Sequence, residues 1–190
     1  MTNSAQWGRV GEKCIVKTNV AGKTIKIFST NAAGLVSGKL NSLRSEVVAT
    51  AAKIVTIQET HSLRKGLIKM PVGFVTFEAI CKAKHGGTMC AIHKDLNPKF
   101  IEEHNDPFEL LVVEVEADSE NIRMITGCGP QENWDETRRM SFYIVLEAQI
   151  VKAELAGKSV IIQMDSNSKL GNEYIPKDSH PMSPNAMERF

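Results

Sequence analysis

The chain has 190 residues, 42% of them hydrophobic and 24% charged, which is the size of one domain with enough apolar residues for a real core. No apolar run approaches the roughly 18 residues that a membrane helix needs, and the stretch from Met1 to Val10 lacks the apolar core of a secretory signal. Cys14, Cys81, Cys90 and Cys128 are scattered without a C-x-x-C pair, so neither a disulfide framework nor a zinc site is expected, and the thiols read as free in an intracellular, reducing setting.

The net charge of +1 conceals an asymmetry. Residues 1–100 hold 15 Lys and Arg against 5 Asp and Glu, whereas residues 101–190 hold 8 against 17. A basic half can attract polyanions and an acidic half can supply metal ligands, although one fold usually interleaves its sequence halves.

In chain order, Lys13 to Lys17 and Thr24 to Phe28 read as a hairpin turning at Ala21-Gly22. A helix is expected from Ser37, as N-cap, to about Ala52, with Leu40, Leu43, Val47 and Ala51 on its buried face. Short apolar or mixed strands follow at Ile54–Ile57, Phe74–Ile80, Thr88–His93, Leu110–Val115 and Ile122–Ile125. A second helix starts near Asn133, which forms a capping-box pattern with Glu136, while Asp135 also suits a helix start. Tyr143, Leu146, Ile150 and Ala153 line one face of it, and Gly157 stops it. The strand Val160–Met164 comes next, and residues 172–190 read as an irregular tail. Helices and strands in this order fit an α/β or α+β sandwich.

Three apolar runs end at residues able to handle metal or phosphate. Thr24–Phe28 runs out to Asn31, Ile54–Ile57 passes through Gln58 into Glu59, and Val160–Met164 runs into Asp165. Strand ends can converge on one sheet edge, where two carboxylates and a carboxamide make a hard-oxygen site suited to Mg²⁺. Taken singly, each is what the first residue of a loop usually is.

The ordered set of motifs says more. Thr30-Asn-Ala-Ala-Gly-Leu35, Ile57-Gln-Glu-Thr-His61, Gly86-Gly-Thr-Met-Cys-Ala-Ile92, Gly127-Cys-Gly-Pro-Gln131 and Met164-Asp-Ser-Asn-Ser-Lys-Leu-Gly171 resemble the endonuclease/exonuclease/phosphatase superfamily, and most of all the endonuclease domains of non-LTR retrotransposons. The resemblance covers about residues 24–175. It implies an α+β, DNase I-like, four-layer α/β/β/α sandwich of two mixed sheets. It also implies that Glu59 and Asn31 hold Mg²⁺ (or Mn²⁺), that Asp165 orients or deprotonates the attacking water, and that Asn31, Asn167 and Gln131 contact the phosphate. DNA is the partner it implies, with neither a membrane nor a small organic cofactor. His61 belongs to its motif as a structural residue, and His85, His93, His104 and His180 read as surface or loop positions. Trp134 could stack on a base, but packing under the helix start is the better reading; Lys82, Lys84 and His85 fit a phosphate backbone or an ordinary charged turn.

Departures from the family pattern are specific. Ala33 stands where a second Asn or Asp is usual, and Cys128 where many members have Tyr. The family's late Asp and Ser-Asp-His come beyond Asp165, and the chain ends at Phe190. The expectation is therefore a single domain incomplete at its C-terminus, with an open sheet edge and little catalytic competence, because catalytic groups that act as a unit fail together. Two other readings stand beside it: a non-catalytic remnant that binds nucleic acid or protein, and a phosphatase-type member acting on a small phosphate ester.

Overall fold

The computed structural model describes residues 13–20, 23–80, 86–105, 108–117 and 120–165. In order these form β1 (Cys14–Val20), β2 (Lys23–Asn31), α1 (Ser37–Thr50), β3 (Ile54–Gln58), β4 (Phe74–Ala79), β5 (Thr88–His93), a 3-10 turn (Lys94–Leu96), β6 (Lys99–His104), β7 (Leu110–Ala117), β8 (Glu120–Cys128), α2 (Glu136–Leu155) and β9 (Ser159–Asp165). The strands make two mixed sheets, ordered β1-β2-β3-β5-β4 and β6-β7-β8-β9. Among the described residues only β2–β3 and β8–β9 are parallel. A parallel pair needs a crossover, and α1 and α2 supply the two crossovers.

Side-chain alternation along the strands explains the layering. In β3, Ile54 enters the core between the two sheets, whereas Val55 and Ile57 enter the core under α1. In β7, Leu111, Val113 and Val115 face the first sheet while Leu110 and Val112 face α2. Strands buried on both faces read as continuous apolar runs rather than alternating ones. The result is the expected four layers: α1, first sheet, second sheet, α2. No helix among the described residues is long and apolar enough to cross a membrane.

Several local expectations need correction. Ser37 is the first helical residue of α1; the cap is Val36, which makes no side-chain capping bond. Instead, Lys39 in the first turn reaches back to the carbonyls of Ala32 and Ala33. Leu43 and Val47 are buried as expected, but Ala51 is an exposed, left-handed C-cap. For α2 the cap is Asp135, which accepts from the Arg138 N–H at 2.8 Å, rather than Asn133. Its inner face carries Phe142, Gln149 and Ala153 with Leu146 and Ile150 packed beside them, so Leu146, Ile150 and Ala153 lie as expected, whereas Tyr143 points outward and its neighbour Phe142 takes the buried place. Trp134 is buried against Phe142 beneath the helix start, with the Arg138 guanidinium 3.9 Å from its ring centre. Strand β6 has no counterpart in the sequence reading. His93 and His104 are half-buried strand ends, His93 packed edge-on against Phe74 and His104 beside Phe108. The Ala21-Gly22 turn, Lys82, Lys84, His85, His180 and the tail lie outside the described residues.

Candidate functional site

The layer between the sheets changes character along its length. The inward residues of β3 run Ile54, Thr56, Gln58, and those of β8 run Met124, Thr126, Cys128. Polar side chains in a low-dielectric layer must find partners, and these do: Thr56 Oγ1 donates to Ser29 Oγ at 2.9 Å, and Gln58 Nε2 reaches Thr126 Oγ1 at 3.4 Å across the sheets. The core thus becomes polar toward the end where β2, β3 and β9 finish.

Three of the sequence-derived residues meet there. Asn31 ends β2, Glu59 follows β3 directly, and Asp165 ends β9. Asn31 Nδ2 donates to Asp165 Oδ2 at 2.7 Å, and Asn31 Oδ1 accepts the Ala33 N–H at 2.9 Å. Cys128 is the register partner of Asp165 and a neighbour of Glu59: the Glu59 backbone is its hydrogen-bond partner, and the charges of Glu109, Asp165 and Glu59 bear on it. Burial pushes its thiol up to about 12, so it is protonated and poorly suited to bind metal or attack a substrate at neutral pH. Gln131 is exposed in the loop before α2, where its carbonyl accepts the Trp134 N–H. Asn167 lies outside the described residues.

The loops around these groups are laced by backbone bonds. Gly34 N–H donates to Glu59 O and Leu35 N–H to Thr60 O; Thr60 and His61 N–H donate in turn to Gly87 and Gly86. The loops after β2 and β3 and the one before β5 therefore form a continuous ladder beyond the sheet. Ala33, Glu59 and His61 hold positive φ of 44°, 51° and 53°. Such backbone costs about 1–3 kcal/mol per non-glycine residue and concentrates at functional sites. His61 Nε2 lies 3.9 Å from Glu59 Oε2, and its ring fills the space beside Gly34, whose absent Cβ would sit 2.9 Å from Nδ1. That contact accounts for the glycine of the first motif. Gly127 has a similar reason: a Cβ there would lie 2.5 Å from the Glu109 carbonyl oxygen.

The donor set suits a magnesium ion more than a softer metal. Among the described residues no three His, Cys, Asp or Glu side chains converge as a metal cage. Magnesium is commonly held by one or two carboxylates, with waters and substrate phosphate completing its shell. Glu59 and the second lone pair of Asn31 Oδ1 match such a sparse set.

Two contributors escaped the sequence reading. Lys39 binds both carbonyls of the loop that carries the Asn31–Ala33 bond, and its only sequence signal is a cation in the first turn of α1. Gln58, noted only as the residue before Glu59, joins the sheets just beneath the site.

No protein-family model matches the sequence, and no curated protein matches it. Solved structures do match. TDP2 of D. rerio complexed with a single-strand DNA product is similar with TM-score 0.53 and 21% identity, over 76% of this chain and 61% of that one. The human Nocturnin catalytic domain with bound sulfate gives 0.58 and 11%, over 82% and 68%. The endonuclease domain of TRAS1, a telomere-specific non-LTR retrotransposon, gives 0.56 and 17%, over 77% and 62%. The chain spans 61% to 68% of the length of these three structures. Its two mixed sheets and flanking helices have the DNase I-like fold of the endonuclease/exonuclease/phosphatase group.

Proposed function

We propose that the edge formed by Asn31, Glu59 and Asp165 is a Mg²⁺-dependent phosphodiester-hydrolysing site of retrotransposon-endonuclease type that acts on DNA. The observation that carries this reading is the direct Asn31–Asp165 bond, which joins the ends of two strands in different sheets beside a carboxylate held on left-handed backbone. The likeness to the TRAS1 endonuclease domain supports it.

In this reading Glu59 and Asn31 hold the cation. Bound magnesium supplies charge neutralisation at the phosphate and the leaving oxygen. Asp165, fixed by the Asn31 amide, orients the attacking water and takes its proton. Asn167, two residues further on, contacts the phosphate, and exposed Gln131 binds it from the loop before α2. His61 buttresses Glu59 rather than moving a proton. The ladder of backbone bonds matters because preorganised donors and acceptors need no rearrangement as charge develops.

Calorimetric titration with Mn²⁺ tests the assignment before any turnover. Wild type binds one ion, Glu59→Gln loses at least tenfold in affinity, and Gln131→Ala is unchanged. Equal affinity in wild type and Glu59→Gln removes Glu59 from the cation site and the reading with it.

A further inference from the structure

The loop that leaves the site carries an unusual combination. It starts at Ser62, directly after His61, and runs to Met70. It is pinned to the body of the protein: Gly66 N–H donates to the buried Glu78 Oε1 at 3.0 Å and Arg44 Nε to the Lys69 carbonyl at 2.7 Å, while Ser62 Oγ tightens the loop itself by donating to the Arg64 carbonyl at 2.9 Å. Lys65 pairs with Glu103 of the second sheet, and Ile68 is buried beneath. Yet Leu63 and Leu67 keep 65% and 62% of their surface in water. Arg64 is exposed between them, and no acid occurs between residues 60 and 77.

Leucines on a fully anchored loop gain nothing for the fold by facing solvent. Apolar wedges interleaved with cations match one polyanion well: a nucleic-acid duplex presents phosphates outside and unstackable base steps within, and leucine is a common wedge between such steps. We propose that Leu63, Arg64 and Leu67 form a duplex-DNA docking element, in which the arginine meets the phosphate backbone and the leucines press into a base step beside the site. The proposal rests on the phosphodiester reading and sharpens it, because a small phosphate ester has no surface for this loop to engage. Its position follows from the chain, since Leu63 lies four residues after Glu59.

The test is binding of a fluorescein-labelled 20-base-pair duplex carrying 2-aminopurine at a central TA step, measured in EDTA so that no hydrolysis contributes. Leu63→Ser/Leu67→Ser weakens binding about tenfold with an unchanged salt slope, and abolishes the 2-aminopurine rise that wild type produces on unstacking. Arg64→Glu weakens binding similarly and lowers the salt slope by about one. Both variants change only exposed side chains, and their urea midpoints are expected to equal that of wild type. Wild-type duplex affinity in the leucine double variant overturns the proposal. So does a wild type that ignores the duplex but binds phosphatidylserine vesicles through the same leucines, and so does one that binds neither. Because no turnover is read, loss of the cation site and loss of this docking element give separate results.

Discussion

Asn31 Nδ2 and Asp165 Oδ2 are 2.7 Å apart although 134 residues separate them in the chain. This one bond ties the end of β2 in the first sheet to the end of β9 in the second. It also orients the Asp165 carboxylate. A hydrogen bond to a charged group contributes about 1.5–3 kcal/mol when well made, so the contact is structural as well as functional.

Replacing the amide by a carboxylate reverses its sign. Asn31→Asp sets two carboxylates against each other at hydrogen-bond distance, and like charges so close cannot both ionise freely. The variant is expected to lose about 2 kcal/mol or more at pH 7, and to recover much of it at pH 4, where one carboxyl takes a proton that the other can accept. Urea denaturation at the two pH values measures this. Equal losses at both would mean that the side chains do not meet.

Gly127→Ala tests the close approach of β8 to the segment before β7. The new methyl would lie 2.5 Å from the backbone oxygen of Glu109, which a rotamer change cannot relieve. Overpacking of this kind costs about 1–3 kcal/mol. A melting temperature lower by several degrees is expected, together with weakened Mn²⁺ binding, because Cys128 and the Asp165 carbonyl are tied to this stretch. An unchanged melting curve would place the two backbones further apart.

Glu114 accepts from Arg123 Nη2 at 2.6 Å and from Lys158, with both Glu114 and Arg123 largely buried. Burial alone would raise its pKa, but the hydrogen bonds from Lys158 and Arg123 outweigh it and hold the carboxyl below its usual 4.5. A depressed folded pKa gives stability that is complete above the unfolded value and lost as pH falls through the folded one. Wild type should therefore lose stability between about pH 5 and pH 3 more steeply than Glu114→Gln. At pH 7, Glu114→Ala is expected to cost about 3 kcal/mol, since it takes the carboxylate from a buried guanidinium.

Glu78 has the opposite sign. Burial raises its carboxyl above 4.5, with the Gly66 N–H and the charges of Lys69 and Lys65 offsetting part of the effect. A raised acid pKa means that stability is greatest below the unfolded value and declines as pH rises through the folded one. Glutamine keeps an acceptor for Gly66 without the charge. Urea midpoints of Glu78→Gln should overtake wild type between pH 4 and pH 7; a wild type that stays ahead at pH 7 would show that the two lysines outweigh burial.

The sequence exposed the interior strands well because β3, β5 and β7 are buried on both faces and stand out as apolar runs. Strand β6 stayed hidden for the converse reason: Lys99–His104 is a half-exposed edge, so charged residues occupy positions on both of its faces. Helix α1 shows no side-chain cap because Lys39 and the preceding loop tie down its start. The polar types at strand ends were visible, and so was their order, which carried the resemblance. The meeting of Asn31 with Asp165 was not, because register and sheet packing over 134 residues leave no local trace. The same holds for Gln58 and Thr126, ordinary strand residues until the sheets face each other.

The central claim is tested most directly by nicking of supercoiled plasmid with Mg²⁺, with Mn²⁺ and with EDTA, using wild type, Glu59→Ala and Asp165→Asn. The account predicts slow nicking, in keeping with the low catalytic competence expected from the sequence, that requires the metal and falls to background in both variants, while their folds, followed by circular dichroism, persist. Folded wild-type protein that leaves the plasmid intact in both metals, or nicking that survives EDTA or the Glu59→Ala change, would contradict it.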